Sequence, residues 1–508
     1  MIRSYRISSR RHAAPKRPSW QPSTDDFAQV FAEQNPWRTS GEVPRLFAPL
    51  QQRPLAKWLF RAMLRPTPRR YYLIVGPRRV GKSTCMYQTV EHLLAAGGGT
   101  AATMVVAARS SAADGVVAGP ADALHRAVER GHGGRARLRV PRRDHVRPHW
   151  DRWLKTFYDD GWPVQIAASS SATAMLRNQS HESGVGRWDQ LYLPPYSFPE
   201  YLDLLGNGLD IPAEATLNES LRAVASDPPV RPDLQPALRR FLLTGGFPEL
   251  LLAGGELGAG EESDFFLQAQ GRLRDGAVIR AIYQDIPQAF GIDNPMLLER
   301  LLYSLGGQIT GVLSPSKIAG ALGMSAPTFD KYLSYLEQAF LVFTTTNYGR
   351  VELNVQKRGR KLYFVDGAVR NAALQRDPQP LANPEEYGLL LENVVASHLH
   401  ALAQLRQVRL HHWREDNLAE VDMILEEPSA PLAIEVGRGA GHHRRGLTAL
   451  AERHGVFERD RYFVAPVIAS TPAGATGDGI GSVPLDLFLL VVGAQAQSAL
   501  RVRLGVSR

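Results

Sequence analysis

The sequence predicts an α/β protein built around a phosphate-binding loop. Tyr71–Val75 (YYLIV) is a short β-type run, Gly76–Ser83 (GPRRVGKS) is a glycine loop, and Ser83–Ala96 reads as a helix ending at Gly97. Strand, loop and helix in that order supply the context that G-x-x-x-x-G-K-[ST] requires. Further along, apolar runs near 407–413, 420–426, 432–436 and 461–466 alternate with helical stretches at 388–405 and 446–453, a second α/β unit.

Composition bounds the rest. At roughly 100–200 residues per domain, 508 residues allow three or four domains. An apolar fraction of 44% with 21% charged residues is that of a soluble globular chain. The net charge of +9 favours anionic partners without naming one, and much of it sits at the N-terminus and in 126–147. One cysteine, Cys85, excludes a disulfide framework and a cysteine zinc site, and a reducing cytoplasm is the expected location. The basic N-terminus lacks the apolar core of a secretory signal, and no uncharged apolar run of about 18 residues appears, so no membrane partner is expected.

In chain order, 1–40 reads as a loose basic arm and 44–65 as a helix. WDRWLKTFYDDG (150–161) is helix-like, PVQIAAS (163–169) is a strand, and LYLPPYSFPEYLDLL (191–205) leads into a helix. Residues 214–253 and 262–305 are helical. Thr310–Phe343 gives helix, turn, helix and a β-type end, and 361–366 (KLYFVD) is a strand.

The loop explains its own chemistry. Backbone N–H groups from Gly76, Pro77, Arg78, Arg79, Val80, Gly81, Lys82, Ser83 and Thr84 are expected to surround a nucleotide's phosphates, less the proline, which has no N–H. Lys82 would reach the β/γ-phosphates as a catalytic cation, and the Ser83 hydroxyl would ligate Mg2+, so ATP and Mg2+ are the expected cofactors. Hydrolysis needs a second acidic pair at the end of a neighbouring strand. No Asp-Glu pair occurs between 97 and 165, and Asp159-Asp160 reads as a solvated turn.

The missing strand falls where composition turns odd. Residues 98–148 hold nine Arg and two Leu but no Ile, Phe, Tyr, Trp, Lys, Asn or Gln. Arg137–Arg147 can be written in codons that, read one base later, spell VYVFLDEITYA, a buried strand followed by Asp-Glu. Two compensating indels around 98–148 are therefore our reading, against a genuine divergent insertion. As it stands, the chain is expected to bind nucleotide and to hydrolyse it poorly.

GPRRVGKST (76–84), WDRWLKTFYDDGWPVQIAASSS (150–171), SGVGRWDQLYLPPYSFPEYL (183–202), TGGFPE (244–249), SKIAGALGMSAPTFDKYLSYLEQAFLV (316–342), KLYFVD, GLLLENVVASHL (388–399) and WREDNLAEVDMIL with LAIEV (413–436) together resemble a prokaryotic family of AAA+ ATPases. These join a P-loop module to a C-terminal restriction-endonuclease-like domain of obscure function. The resemblance implies a P-loop AAA+ core over 41–205 and a helical lid over 206–253. It further implies a winged-helix-like module over 262–350 and an α/β endonuclease-like domain over 360–508. Ser169–Ser171 resembles the sensor that reads the γ-phosphate, or is a serine-rich turn. Arg187 resembles an arginine acting on a neighbouring subunit's nucleotide, which implies a homo-oligomer, or is a structural arginine. PYSFPE (195–200) and GGFPE (245–249) read as structural turns.

Two modules leave function open. In 316–342 the second helix, capped by Ser325, would show Thr328, Lys331 and Tyr332; with Lys331 its only base, a protein contact competes with DNA or RNA reading. In the endonuclease-like domain Glu392, Asp422 and Glu435 are the metal-binding acids the resemblance implies. The lysine expected two residues after Glu435 is Gly437, and Arg438 falls on the opposite strand face. A non-cleaving domain is favoured over a metal-dependent nuclease. His442–Arg445 reads as a solvated basic loop, and His411-His412 lack metal spacing. An ATPase is the first expectation, and a nucleotide-gated DNA-binding or protein-binding chain without turnover is the alternative.

Overall fold

The structure is a computed structural model. It describes, with short breaks, residues 52–96, 187–253, 262–349, 359–466 and 479–506, with strands at 103–107, 114–118 and 165–170 and small pieces at 37–43 and 158–159. Of the loose arm expected at 1–40, Trp37–Ser40 instead form a short helix with Trp37 buried in the core; residues 1–36, the shifted Asp-Glu reading at 137–147, Ser171, and the basic loop up to His443 lie outside the described residues.

The N-terminal part is a five-stranded sheet. Its strands are β1 (Tyr71–Val75), β2 (Thr103–Ala107), β3 (Asp114–Ala118), β4 (Gln165–Ser170) and β5 (Trp188–Tyr192), in the order β2-β3-β4-β1-β5. β1 is parallel to β4 and β5, whereas β3 is antiparallel to β4 and β2 to β3. All five β1 residues are buried, which is why YYLIV carries no polar alternation. Helices α1 (Pro54–Leu64) and α2 (Lys82–Ala95) pack against each other beside this sheet.

After α3 (Phe198–Leu204), the segment 206–253, expected to be a lid, forms α4 (Leu217–Ser226), α5 (Gln235–Thr244) and α6 (Pro248–Ala253). A helical path then runs from α7 (Glu262–Leu273) to α8 (Ile286–Phe290), with π-type turns at Arg274–Ile279 and Ala281–Asp285 between them. Such wide turns are rare and change where side chains aim. Next come α9 (Pro295–Gly306), α10 (Pro315–Leu322) and α11 (Ala326–Gln338). Ser325 caps α11 as expected, its Oγ accepting from Thr328 N–H.

The second sheet has seven strands: β6 (Val342–Asn347), β7 (Lys361–Phe364), β8 (Leu410–Glu415), β9 (Ala419–Leu425), β10 (Leu432–Val436), β11 (Arg461–Ala465) and β12 (Gly481–Pro484). Around it lie α12 (Gly367–Leu374), α13 (Pro384–Arg406), α14 (Arg445–Arg453) and α15 (Leu485–Arg503). This sheet crosses the boundary expected at 350–360. β6 pairs antiparallel with β7 and, through Thr346 and Asn347, parallel with β8. Thr345 and Thr346 share hydrogen bonds of 3.0 and 2.8 Å with His412 and His411 Nδ1, so the histidine pair joins strands.

The main core runs from Trp37 to Leu504 through both halves. α15 is long and apolar enough to cross a membrane, but Leu485–Val492 are at most 3% exposed because the helix packs against α1, α3, α4 and α13. The helical segment 206–253 is tied to the C-terminal body by Arg222–Asp460 (2.7 Å) and Arg231–Asp486 (2.8 Å).

Candidate functional site

The loop between β1 and α2 turns through Arg79 (φ 65°) and Gly81 (φ 88°). Gly76 is required by a close approach: a Cβ there would sit 2.1 Å from Leu193 O, where the chain leaves β5. Lys82 Nζ lies 2.9 Å from Gly76 O and 2.5 Å from Pro77 O, folded over the loop's mouth. It is half-buried and Ser83 is exposed at the start of α2, so both can meet a ligand. Cys85 is buried behind them, and burial pushes its thiol up to about 12, which keeps it inert.

The loop is braced from below by a residue that sequence reasoning missed. Arg53 is 4% exposed and donates from Nη1 to Val80 O (3.2 Å) and Pro194 O (2.9 Å). Its other nitrogens grip both Glu200 oxygens at 3.0 Å, and its guanidinium lies 4.3 Å from the Tyr196 ring centre. Burial opposes the charge on Arg53, but the Glu200 carboxylate outweighs it and leaves the pKa raised. Glu200 also closes a capping box with Ser197 at the start of α3. PYSFPE is thus the part that holds the phosphate loop's floor.

GGFPE is bound to KLYFVD. Gly246 N–H donates to Asp366 Oδ2 at 2.8 Å, while Asp366 Oδ1 accepts from Ala368 N–H at 2.7 Å and caps α12. Gly246 also meets Tyr196 so closely that a Cβ would lie 2.1 Å from Tyr196 O. Burial raises Asp366 to about 6, against the pull of its two N–H donors. A cavity of about 80 Å3 sits at this junction, lined by Arg53, Tyr192, Asp366 and His398 among mostly apolar neighbours. His398 accepts from Phe198 N–H at Nε2 (2.9 Å) and donates from Nδ1 to Val394 O (2.8 Å). Burial lowers it to about 4, so it is neutral.

Two loop arginines touch the π-type turns. Arg78 Nη1 lies 2.5 and 2.6 Å from the two Asp285 oxygens, and Asp285 is 2% exposed. Arg79 lies over Gly276, where a Cβ would be 1.8 Å from its Nε.

Ser169 is 2% exposed on β4, in register with Ile74, and Ser170 is level with Val75, next to the loop. The backbone of Asp114, on antiparallel β3, is in register with Ser169 at that same sheet edge. A search for a parallel strand ending in Asp-Glu passes over such a position. Arg187 lies elsewhere: its O accepts from Tyr71 N–H at the start of β1, about 13 Å of strand from the loop. Its guanidinium pairs with Asp159 at 2.7 Å, so the turn containing Asp159 carries an ion pair.

In the C-terminal body Glu392 and Asp422 converge as expected, but around a lysine. Lys361 Nζ is 2.7 Å from Glu392 Oε1, 2.7 Å from Glu420 Oε1 and 2.9 Å from Asp422 Oδ1. Burial opposes this ammonium, but Asp422 and Glu392 raise its pKa well above the usual lysine value. Glu435 is 6% exposed on β10, one residue past Ile434, which pairs with Met423, and its Oε2 lies 3.2 Å from where a Cβ on Gly446 of α14 would stand. Gly437 N–H donates to Val464 O, and Arg438 donates to Pro384 O. Among the described residues no group of three His, Cys, Asp or Glu side chains is placed to hold a metal.

The family described as AAA domain matches residues 144–202, Domain of unknown function (DUF8612) matches 235–380, and Domain of unknown function (DUF4143) matches 387–470. An uncharacterised protein of Haemophilus influenzae is 23% identical over 237 residues, 46% of this chain and 50% of its own length. Uncharacterised proteins of Mycobacterium tuberculosis and Mycobacterium bovis are each 27% identical over 167 residues, 32% of this chain and 37% of theirs. The chain thus spans about half, or less, of the curated relatives it matches. No solved structure matches. The chain carries an AAA-type, P-loop ATPase region, with a DUF4143 region on its C-terminal side. The AAA match begins at residue 144, inside the odd segment 98–148, and the loop at 76–83 joins it through the pairing of β1 with β4 and β5.

Proposed function

We propose that this chain binds Mg2+-ATP, turns it over slowly, and uses occupancy of the loop to shift its C-terminal body. The observation that carries the reading is the loop itself, with Lys82 and exposed Ser83 at its mouth. A triphosphate would replace the Gly76 and Pro77 oxygens as the partner of Lys82, and Ser83 would hold Mg2+. Slow turnover follows from the lack of an Asp-Glu pair in 97–165. The output follows from the Arg78–Asp285 contact and from the ion pairs that tie the lid to the C-terminal body. Arg187 is remote from its own chain's loop, which fits a role on a second copy's nucleotide.

The test is equilibrium binding of fluorescent ATP and GTP with Mg2+, alongside phosphate release, for the wild type and Lys82→Ala. Binding of ATP that disappears in the variant is expected, with phosphate release close to background. Release that survives Lys82→Ala, or no Mg2+-dependent binding by the wild type, overturns the reading.

A further inference from the structure

We propose that the Lys361 ammonium permanently takes the place of a divalent cation in the C-terminal acidic cluster, so that this domain is closed to metal. The resemblance to restriction-type nucleases implies a metal there, and the residues present do not fit one. An ammonium has three N–H donors, and here three carboxylate oxygens from different side chains lie 2.7–2.9 Å from Nζ. It donates hydrogen bonds to Glu420 and Asp422, and Glu392 adds an ion pair at 2.7 Å. The lysine is 1% exposed, so its charge cannot swing out to solvent and make room. The acids are committed as well. Asp422 Oδ2 accepts from Val436 N–H at 2.9 Å, and Glu392 Oε1 also accepts from Tyr363 O–H at 3.0 Å. Glu435, the third acid of the implied set, is not one of the three carboxylates on Nζ, and its Oε2 lies beside Gly446 of α14.

Mg2+ needs oxygen ligands near 2.0–2.1 Å in an octahedron. A cation between Glu392 and Asp422 would stand against the buried ammonium, and the repulsion would be large in so dry a place. The lysine comes from β7, 31 residues before Glu392 and 61 before Asp422. It therefore gives these acids a fixed counter-charge that fastens β7 to α13 and β9. A buried acid pair left without a counter-charge is strongly destabilising, which explains why the ammonium is held so tightly.

The experiment is Mn2+ binding to nucleotide-free protein, followed by electron paramagnetic resonance, so that Ser83 contributes no site. Wild type, Asp422→Asn, Lys361→Ala and the Lys361→Ala/Asp422→Asn pair are compared, with thermal unfolding measured for each with and without Mn2+. The wild type is expected to bind no stoichiometric Mn2+. Lys361→Ala is expected to gain one ion per chain and a Mn2+-dependent rise in unfolding temperature, both lost when Asp422→Asn is added. Stoichiometric Mn2+ on the wild type that Asp422→Asn removes would overturn the proposal, and this arm does not depend on the lysine variant folding. A folded Lys361→Ala that gains no ion would overturn it equally.

Discussion

Arg78 and Asp285, 207 residues apart, form an ion pair in which one guanidinium nitrogen lies within 2.6 Å of both carboxylate oxygens. One residue belongs to the phosphate loop and the other to the π-type turn that leads into α8. Asp285 is 2% exposed and Arg78 17%, so the pair is largely dry. Removing one partner takes a close opposite charge away from the other. Arg78→Ala is expected to cost about 2–4 kcal/mol of stability, somewhat under the range for fully buried pairs. Arg78→Ala/Asp285→Ala should recover part of it. Urea denaturation of the two singles and the double measures the coupling, and additive losses would show that the contact carries none.

ATP should stabilise the protein through the same loop. A ligand at 100 times its Kd adds about 2.7 kcal/mol to a one-site protein. The thermal midpoint of the wild type should therefore rise with Mg2+-ATP, and that of Lys82→Ala should stay flat. Gly76→Ala should be destabilised even without nucleotide, because its Cβ meets Leu193 O at 2.1 Å. A Gly76→Ala protein as stable as the wild type contradicts the close approach.

Asp366 predicts one direction of pH dependence. Its folded pKa is about 6, raised by burial from 3.8. The folded state therefore holds the proton more tightly than the unfolded chain. Its contribution is fully present below about pH 4 and lost as pH rises through 6, up to about 3 kcal/mol at roughly 1.4 kcal/mol per unit. Asp366→Asn removes this titration, and stability compared at pH 4.5 and 7 should differ from the wild type by that sign.

His398 and His412 predict the opposite direction. Burial lowers them from 6.5 to about 4 and about 3. Here the unfolded chain binds the proton more tightly, so stability is lost as pH falls below about 6.5. With His400, also lowered by burial to about 4, three histidines oppose Asp366 and Glu392, the latter raised by burial to about 7, and net destabilisation on acidification from pH 6.5 to 4.5 is expected. The slope should be shallower in His398→Gln and steeper in Asp366→Asn. Denaturation curves at three pH values would reveal a reversed order of slopes if these assignments fail.

Much of the secondary structure was legible because it is written locally. YYLIV reads as a buried strand, Ser325 as a cap, and LAIEV as a strand without knowledge of neighbours. The sheet edge beside β4 was not legible. β3 lies antiparallel there, in a segment whose composition gives no strand pattern. α15 and β12 were also missed, because an apolar helix buried on most sides shows no clear stripe. Arg53, Lys361 and Asp366 carry no motif, since the partners that give them their roles include residues 61–147 positions away.

The sequence by itself determined the strand, glycine loop and helix at 71–95, because the spacing of one short stretch of chain sets where its consecutive backbone amides fall. It also determined that Gly437 stands where a catalytic lysine would be expected. Only the tertiary structure decided that a different lysine, Lys361, is drawn into the acids, and that Arg78 answers to Asp285. A buried charge must be matched by an opposite one. Which residue supplies the match depends on strand order and helix packing, and no local spacing records that.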